Sequence, residues 1–248
     1  MRIISTYLFI LLSFALAQGQ DTKPYGSLAN QTSVREELSI ANKNGIQNAY
    51  AFSKKYAGIK GDPFLNNEWS QGTVALADSA VVSNDKVRLK FSTYTNELWI
   101  LNGKDSLIAF SKDILWFSLK NPTGSDKFEK YPKLYADSQY FLKTVFKNED
   151  FILVQDVKKK LTKADYVDRG MYTSGSMYDR FEDDSDYMLS YRGSEFKKVK
   201  LTIKSFQKAM PNTMGKKSEA HAKRNMIPSK FSEIEACRLL QSLSDSQQ

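Results

Sequence analysis

A chain of 248 residues with 41% hydrophobic and 12% aromatic content can bury a sizeable core, which excludes wholesale disorder. One cysteine, Cys237, excludes an internal disulfide, and one histidine, His221, leaves too few soft ligands for a zinc centre of the usual spacing and a single base for any Ser-His or Cys-His mechanism. The formal charge of +8 makes an anionic partner worth weighing.

Met1 to Ala17 carries Arg2 ahead of an apolar run and ends Ala15-Leu16-Ala17 before Gln18. This is the pattern of a secretory signal with an Ala-x-Ala cleavage site, and about fifteen apolar residues fall short of the roughly twenty that span a bilayer. The expected organisation is a signal peptide over 1–17, a flexible polar leader over 18–31 and a single β-rich domain over 32–248, basic and helical from about 205. After cleavage no transmembrane segment is expected, and the protein is expected to be exported, either periplasmic or secreted. Ser33 and Glu36 have capping-box spacing, and Val34, Leu38 and Ala41 share one helical face until Asn44-Gly45, which predicts a short N-terminal helix.

Gly61-Asp62-Pro63-Phe64-Leu65 precedes Trp69 and a strand beginning Gly72-Thr73-Val74. Val87, Leu89 and Phe91 alternate with Lys86, Arg88 and Lys90, the period-2 pattern of a half-buried strand. Leu98 to Leu101 is apolar on both faces, Asn102-Gly103 reverses the chain, and Leu107 to Phe110 and Ile114 to Leu119 follow, up to Asn121-Pro122-Thr123-Gly124. The pattern predicts one antiparallel meander over Val87 to Leu119, then a loop over 122–133. Tyr140 to Phe146 and Phe151 to Val154 form a hairpin about Asn148-Glu149-Asp150, and Lys158-Lys159-Lys160 suits a guarded sheet edge. Asp165 to Asp186 holds seven acids against two arginines and reads as an exposed excursion. Tyr187 to Tyr191 returns from it, and Val199, Leu201 and Ile203 alternate as a last strand. Phe206 and Met210 start the helical tail, and Ser232 and Glu235 form a capping box ahead of Ile234, Cys237, Leu240 and Leu243. The expected fold is α+β, mainly antiparallel β, a meander sheet closing as a sandwich or partly closed barrel, with an N-terminal helix and C-terminal helices.

The Gly-x-Pro-aromatic-Leu step ahead of Trp69 and Gly72-Thr73-Val74, the meander, the aromatic hairpin and the basic helical tail resemble exported β-rich proteins common in Bacteroidota-type bacteria. The resemblance implies export and a β-rich fold. It carries no activity and no functional residues across.

No Gly-x-Ser-x-Gly elbow and no phosphate-cradling glycine loop is present, and Cys237 sits on an apolar helical face where a small buried thiol belongs. A carboxylate-based enzyme such as a glycoside hydrolase needs only two acids that folding brings together, and stands as one alternative. Asp179, Asp183, Asp184 and Asp186 offer hard oxygens for calcium but lack the EF-hand spacing, so a solvated acidic loop is the plainer account and no cofactor is expected. Tyr172 and Tyr178, among Ser and Gly, suit recognition of a polar ligand. Trp99, Trp116, Phe117 and Phe141 would line the cavity of a lipid or sugar carrier, with ordinary core as the plainer account. From Glu195 to Phe231 ten Lys or Arg residues face two glutamates. Lys197, Lys198, Lys200, Lys216, Lys217, Lys223 and Arg224 are the contacts expected for an anionic partner. Export and the lack of aromatics among these cations argue against nucleic acid. The preferred reading is a non-catalytic, envelope-associated protein that binds another protein or an anionic envelope surface.

Overall fold

The computed structural model describes residues 56, 58–76, 81–83, 87–102, 105–109, 114–135, 139–170 and 172–246, with backbone alone at 82, 87, 102, 105–109 and 168. The expected signal peptide, leader and N-terminal helix lie outside the described residues.

Strands β1 (Gly72–Leu76) and β2 (Val81–Ser83) open the main sheet. β3 (Val87–Ser92), β4 (Glu97–Asn102) and β5 (Asp105–Ala109) leave it as a three-stranded meander, and β6 (Ile114–Asn121), β7 (Gly124–Lys130), β8 (Phe141–Lys147) and β9 (Phe151–Asp156) return to it. β10 (Lys159–Thr162), β11 (Val167–Asp168), β12 (Thr173–Ser174) and β13 (Arg180–Asp183) make two small ribbons, β10 with β13 and β11 with β12. β14 (Asp186–Tyr191) and β15 (Lys197–Val199) complete an eight-stranded antiparallel sheet in the order β15-β14-β9-β8-β7-β6-β1-β2. Helices α1 (Ile203–Ala209), α2 (Asn212–Arg224) and α3 (Glu233–Asp245) follow.

Three expectations about these strands fail for identifiable reasons. β6 does not lie beside β5 in the meander; it pairs with β1 and β7 in the other sheet. The stretch read as a loop over 122–133 contains β7, whose Gly124-Ser125-Asp126-Lys127-Phe128-Glu129-Lys130 has one apolar side chain. That one decides the matter: Phe128 is fully buried and stacks on Phe117, centroids 4.8 Å apart and planes within 8°. The alternation of Val199, Leu201 and Ile203 does not extend the last strand, because Thr202 caps α1 by accepting from the Ser205 backbone N–H at 3.3 Å.

Residues directly opposed in antiparallel strands share a face. The pairs Val74–Phe117, Phe117–Phe128, Lys130–Phe141, Phe146–Leu153, Leu153–Leu189 and Tyr187–Val199 therefore trace a largely apolar row across one face of the main sheet. A bulge near Val145 brings Val145 and Phe146 beside the helical cluster. Two different covers bury this face. Leu89, Phe91, Leu98 and Ile100 of the three-stranded sheet pack against Val74, Phe117, Leu119 and Phe128. The helices cover the other half, with Phe206, Met214, Leu239, Leu240 and Leu243 against Phe151, Leu153, Leu189 and Val199.

Lys143 of β8 projects from the same face between the covers. Its Nζ lies 3.0 Å from Asp126 of β7 and 3.0 Å from Glu233 of α3, and the Tyr187 hydroxyl donates to Glu233 at 2.8 Å. Burial works against the ammonium, but hydrogen bonds to Glu233 and Asp126 outweigh it and hold its pKa above the ordinary value.

The two sheets share one apolar core and are joined along one edge. Ser70 and Phe64 bridge to Leu89 and Ser92 of β3, and Gly72–Leu76 then pairs with β6. Gly72 is the crossing point: a Cβ there would meet the Ser118 carbonyl oxygen at 2.1 Å and Leu89 Cδ1 at 2.6 Å. Gly72→Ala is expected to cost about 3 kcal/mol in urea unfolding, because backbone must move to admit the methyl. Gly58→Ala, at φ +84 with no atom within 4 Å of the added carbon, should cost only about 1 kcal/mol.

Candidate anionic-partner surface

The two faces of α2 are set by residue size and charge. Met214, Gly215, Ser218 and Ala222 are buried, and three of them are small enough to let the helix lie close to its neighbours. A Cβ on Gly215 would sit 3.0 Å from the Gln207 carbonyl oxygen of α1. Lys216, Lys217, Ala220, Lys223 and Arg224 are all exposed, and at 100° per residue they fall within an arc of about 120°. Lys223 pairs with Glu219 at 2.8 Å. That bond is the main cause of a depressed Glu219 carboxyl, which Gln207 also holds from α1 at 2.9 Å. Among the described residues Lys216, Lys217 and Arg224 have no carboxylate within ion-pair distance.

The other expected contacts lie at the sheet edge. Lys197 and Lys198 are exposed on β15, Lys200 is exposed just beyond it, and Lys198 is committed to Asp186 at 2.7 Å. α1 packs against both β15 and α2, so its exposed Lys204 and Lys208 lie between the two groups. All seven residues singled out in the sequence are thus exposed, in two groups rather than one cluster.

The four acids considered for calcium are spread along the ribbons. Asp179 accepts from Lys163 Nζ at 2.7 Å and from the Ala164 N–H at 2.8 Å. Asp183 stands opposite Lys159 in the β10–β13 register. Asp184 lies 3.9 Å from Lys160, and Asp186 lies 2.7 Å from Lys198. Among the described residues no three His, Cys, Asp or Glu side chains gather as a metal ion would need. Lys158, Lys159 and Lys160, expected to guard an edge, run into β10, an edge strand of the two-stranded β10–β13 ribbon, where Lys160 lies 3.9 Å from Asp184 and Lys159 Nζ donates to the Asp62 and Phe64 carbonyls.

Tyr172 and Tyr178 are exposed on the ribbons, Tyr178 beneath Lys60 Nζ at 4.4 Å, with Tyr166, Val167 and Met177 also exposed nearby. Trp99, Trp116, Phe117 and Phe141 do not line one cavity. Trp99 packs edge-on to Phe64 at 5.5 Å, Phe117 and Phe141 touch at 5.1 Å in the core, and Trp116 lies on the opposite sheet face with Lys127 over its ring.

Several features have no counterpart in the sequence pattern. An open depression of about 460 Å³ lies beside α3, lined by Phe146, Cys237, Arg238, Gln241, Ser242 and Asp245. Burial pushes the Cys237 thiol up, and its S–H donates to the Val145 carbonyl at 3.4 Å. The face of α3 also differs from expectation: Ala236, Leu239, Leu240 and Leu243 are buried, Cys237 is at the border, and Ile234 is exposed. His221 is half-buried between α2 and α3, its Nε2 3.0 Å from Ser242 Oγ and 2.9 Å from Asn225 Nδ2.

On the far face of the main sheet, residues 131–135 and 139–140 bring tyrosines over two carboxylates. Asp156 accepts from Tyr135 at 2.7 Å and Tyr140 at 2.9 Å, and burial, then this carboxylate, push both phenols up. Glu129 takes Lys127 at 2.6 Å, Lys147 at 2.9 Å and Tyr131 at 2.9 Å. Burial alone would raise the Glu129 carboxyl; these hydrogen bonds together outweigh it and bring the pKa from 4.5 down to about 2. Among the described residues every carboxyl with a resolved shift is pushed down by such partners. No protein-family model, curated protein or solved structure matches the chain.

Because the folded Glu129 pKa lies below the ordinary value, its stabilising contribution is complete above about pH 4.5 and is lost as pH falls toward 2. The stability gap between wild type and Glu129→Gln is therefore expected to shrink across that window in acid titration of urea midpoints. A gap that stays constant down to pH 2 would remove the assignment.

Proposed function

We propose that this chain is an exported, envelope-associated, non-catalytic protein that binds an anionic partner through the outer face of α2, extended by Lys197 and Lys200. The observation that carries the reading is the run of outward cations Lys216, Lys217 and Arg224, which have no described carboxylate partner while Lys158, Lys160 and Lys163 answer the acids of the ribbons. Export rests on the pattern over Met1 to Ala17, and on the resemblance to exported β-rich proteins. Among the described residues no helix is long and apolar enough to cross a membrane.

The rival readings have less to stand on. A carboxylate-based enzyme calls for paired acids with one held protonated, and the shifted carboxyls here move the other way. A small-ligand carrier would have to use the open depression beside Phe146 and Cys237, since the aromatics that suggested a carrier are packed apart.

Binding to dextran sulfate, followed by fluorescence anisotropy across a salt series, tests the proposal. Replacing Lys216, Lys217, Lys223 and Arg224 with Gln should weaken binding about tenfold or more and flatten the salt dependence, whereas Asp183→Ala/Asp184→Ala should leave both unchanged. Equal binding by the four-site variant would overturn the assignment of the face.

A further inference from the structure

We infer that the anionic partner is a lipid bilayer surface, with the α2 cations at the headgroup phosphates and Met226 inserted among the acyl chains. This rests on the reading of α2 as an anion-binding face and adds which anion it meets. The end of α2 carries the inference. The Ile227 N–H donates to the Ala222 carbonyl at 3.0 Å and the Met226 N–H to the Lys223 carbonyl at 3.4 Å, the bond pair of a Schellman helix stop. The residue at the turn of that motif is left-handed and usually glycine; here it is Met226 at φ +51.

Ile227 packs back against the helical cluster, as the motif's apolar contact requires. Met226 does not. It is 89% exposed, the most exposed of the large apolar side chains among the described residues. The helix stop has no use for its side chain, since glycine would close the turn with less strain, and the core does not touch it. An unbranched, flexible thioether therefore stands in water two or three residues from Arg224 and Lys223, at the end of a cationic arc that runs about 12 Å from Lys216 to Arg224.

A soluble polyanion would engage the cations and gain nothing from the thioether. A bilayer takes both: phosphates meet Lys and Arg at the headgroup level, and a methionine reaches the hydrocarbon a few ångströms deeper. Ala220, in the middle of the exposed arc, offers no bulk that would keep the helix from lying flat on such a surface.

Flotation of the full chain with vesicles of phosphatidylcholine, with and without phosphatidylglycerol, tests the inference alongside dextran sulfate binding. The expected result is flotation with the anionic vesicles alone, abolished by high salt. Met226→Gly should weaken vesicle binding roughly tenfold while leaving dextran sulfate binding unchanged. The same variant should melt at a higher temperature, which separates lost insertion from lost folding, and Met226→Leu should retain vesicle binding. Wild-type vesicle affinity in Met226→Gly, or binding to dextran sulfate without binding to vesicles, would overturn the lipid inference alone. Binding to neither would overturn the anion-binding reading beneath it.

Discussion

The apolar row that crosses one face of the eight-stranded sheet must be kept from water along its whole width, and among the described residues no single element is wide enough to do it. The three-stranded sheet takes one half and the helices take the other, so the architecture follows from dividing one surface between two covers. Lys143 stands where the covers meet. A half-buried ammonium is tolerable there because carboxylates from two different elements, Asp126 of β7 and Glu233 of α3, complete its hydrogen bonding. The same contacts tie the start of α3 to the sheet, while α2 packs against both α1 and α3.

The excursion between β9 and β14 matters for the opposite reason. Residues 158–186 hold seven acids and six Lys or Arg residues, so the segment that looks strongly acidic when counted from Asp165 is close to neutral once β10 pairs with β13. Lys198–Asp186 is one tie between these acids and the basic C-terminal stretch. The positive charge of that stretch is therefore left outward rather than cancelled internally. A distribution of charge that composition reports only as a net +8 becomes a directional property of α2.

On the far face the sheet solves a different problem. Tyr131, Tyr135 and Tyr140 lie over Glu129 and Asp156, so that buried or half-buried carboxylates have hydroxyl and ammonium donors. These acids are held as structural anions. Their hydrogen bonds come from residues scattered over a loop and two strands, which is why no spacing in the sequence announced them.

Local pattern was sufficient where one neighbour decides conformation. Alternation placed β3 and β8, the return from the acidic excursion placed β14 at Tyr187 to Tyr191, Asn148-Glu149-Asp150 marked the β8–β9 reversal, and Ser232 with Glu235 marked the start of α3, whose capping box is present in full. The exposure of Lys216, Lys217, Lys223 and Arg224 could also be anticipated, because four long cations cannot be buried unpaired. Tertiary structure alone decided that β6 joins β1 rather than β5, that Phe128 turns a polar stretch into a central strand, and that the helix buries Leu239 in place of Ile234. It also decided that Lys158, Lys160 and Lys163 answer the ribbon acids while Lys216, Lys217 and Arg224 have no described carboxylate partner. The reason is common to all of these: each depends on a partner distant along the chain, and hydrophobic periodicity records whether a side chain is buried without recording against what.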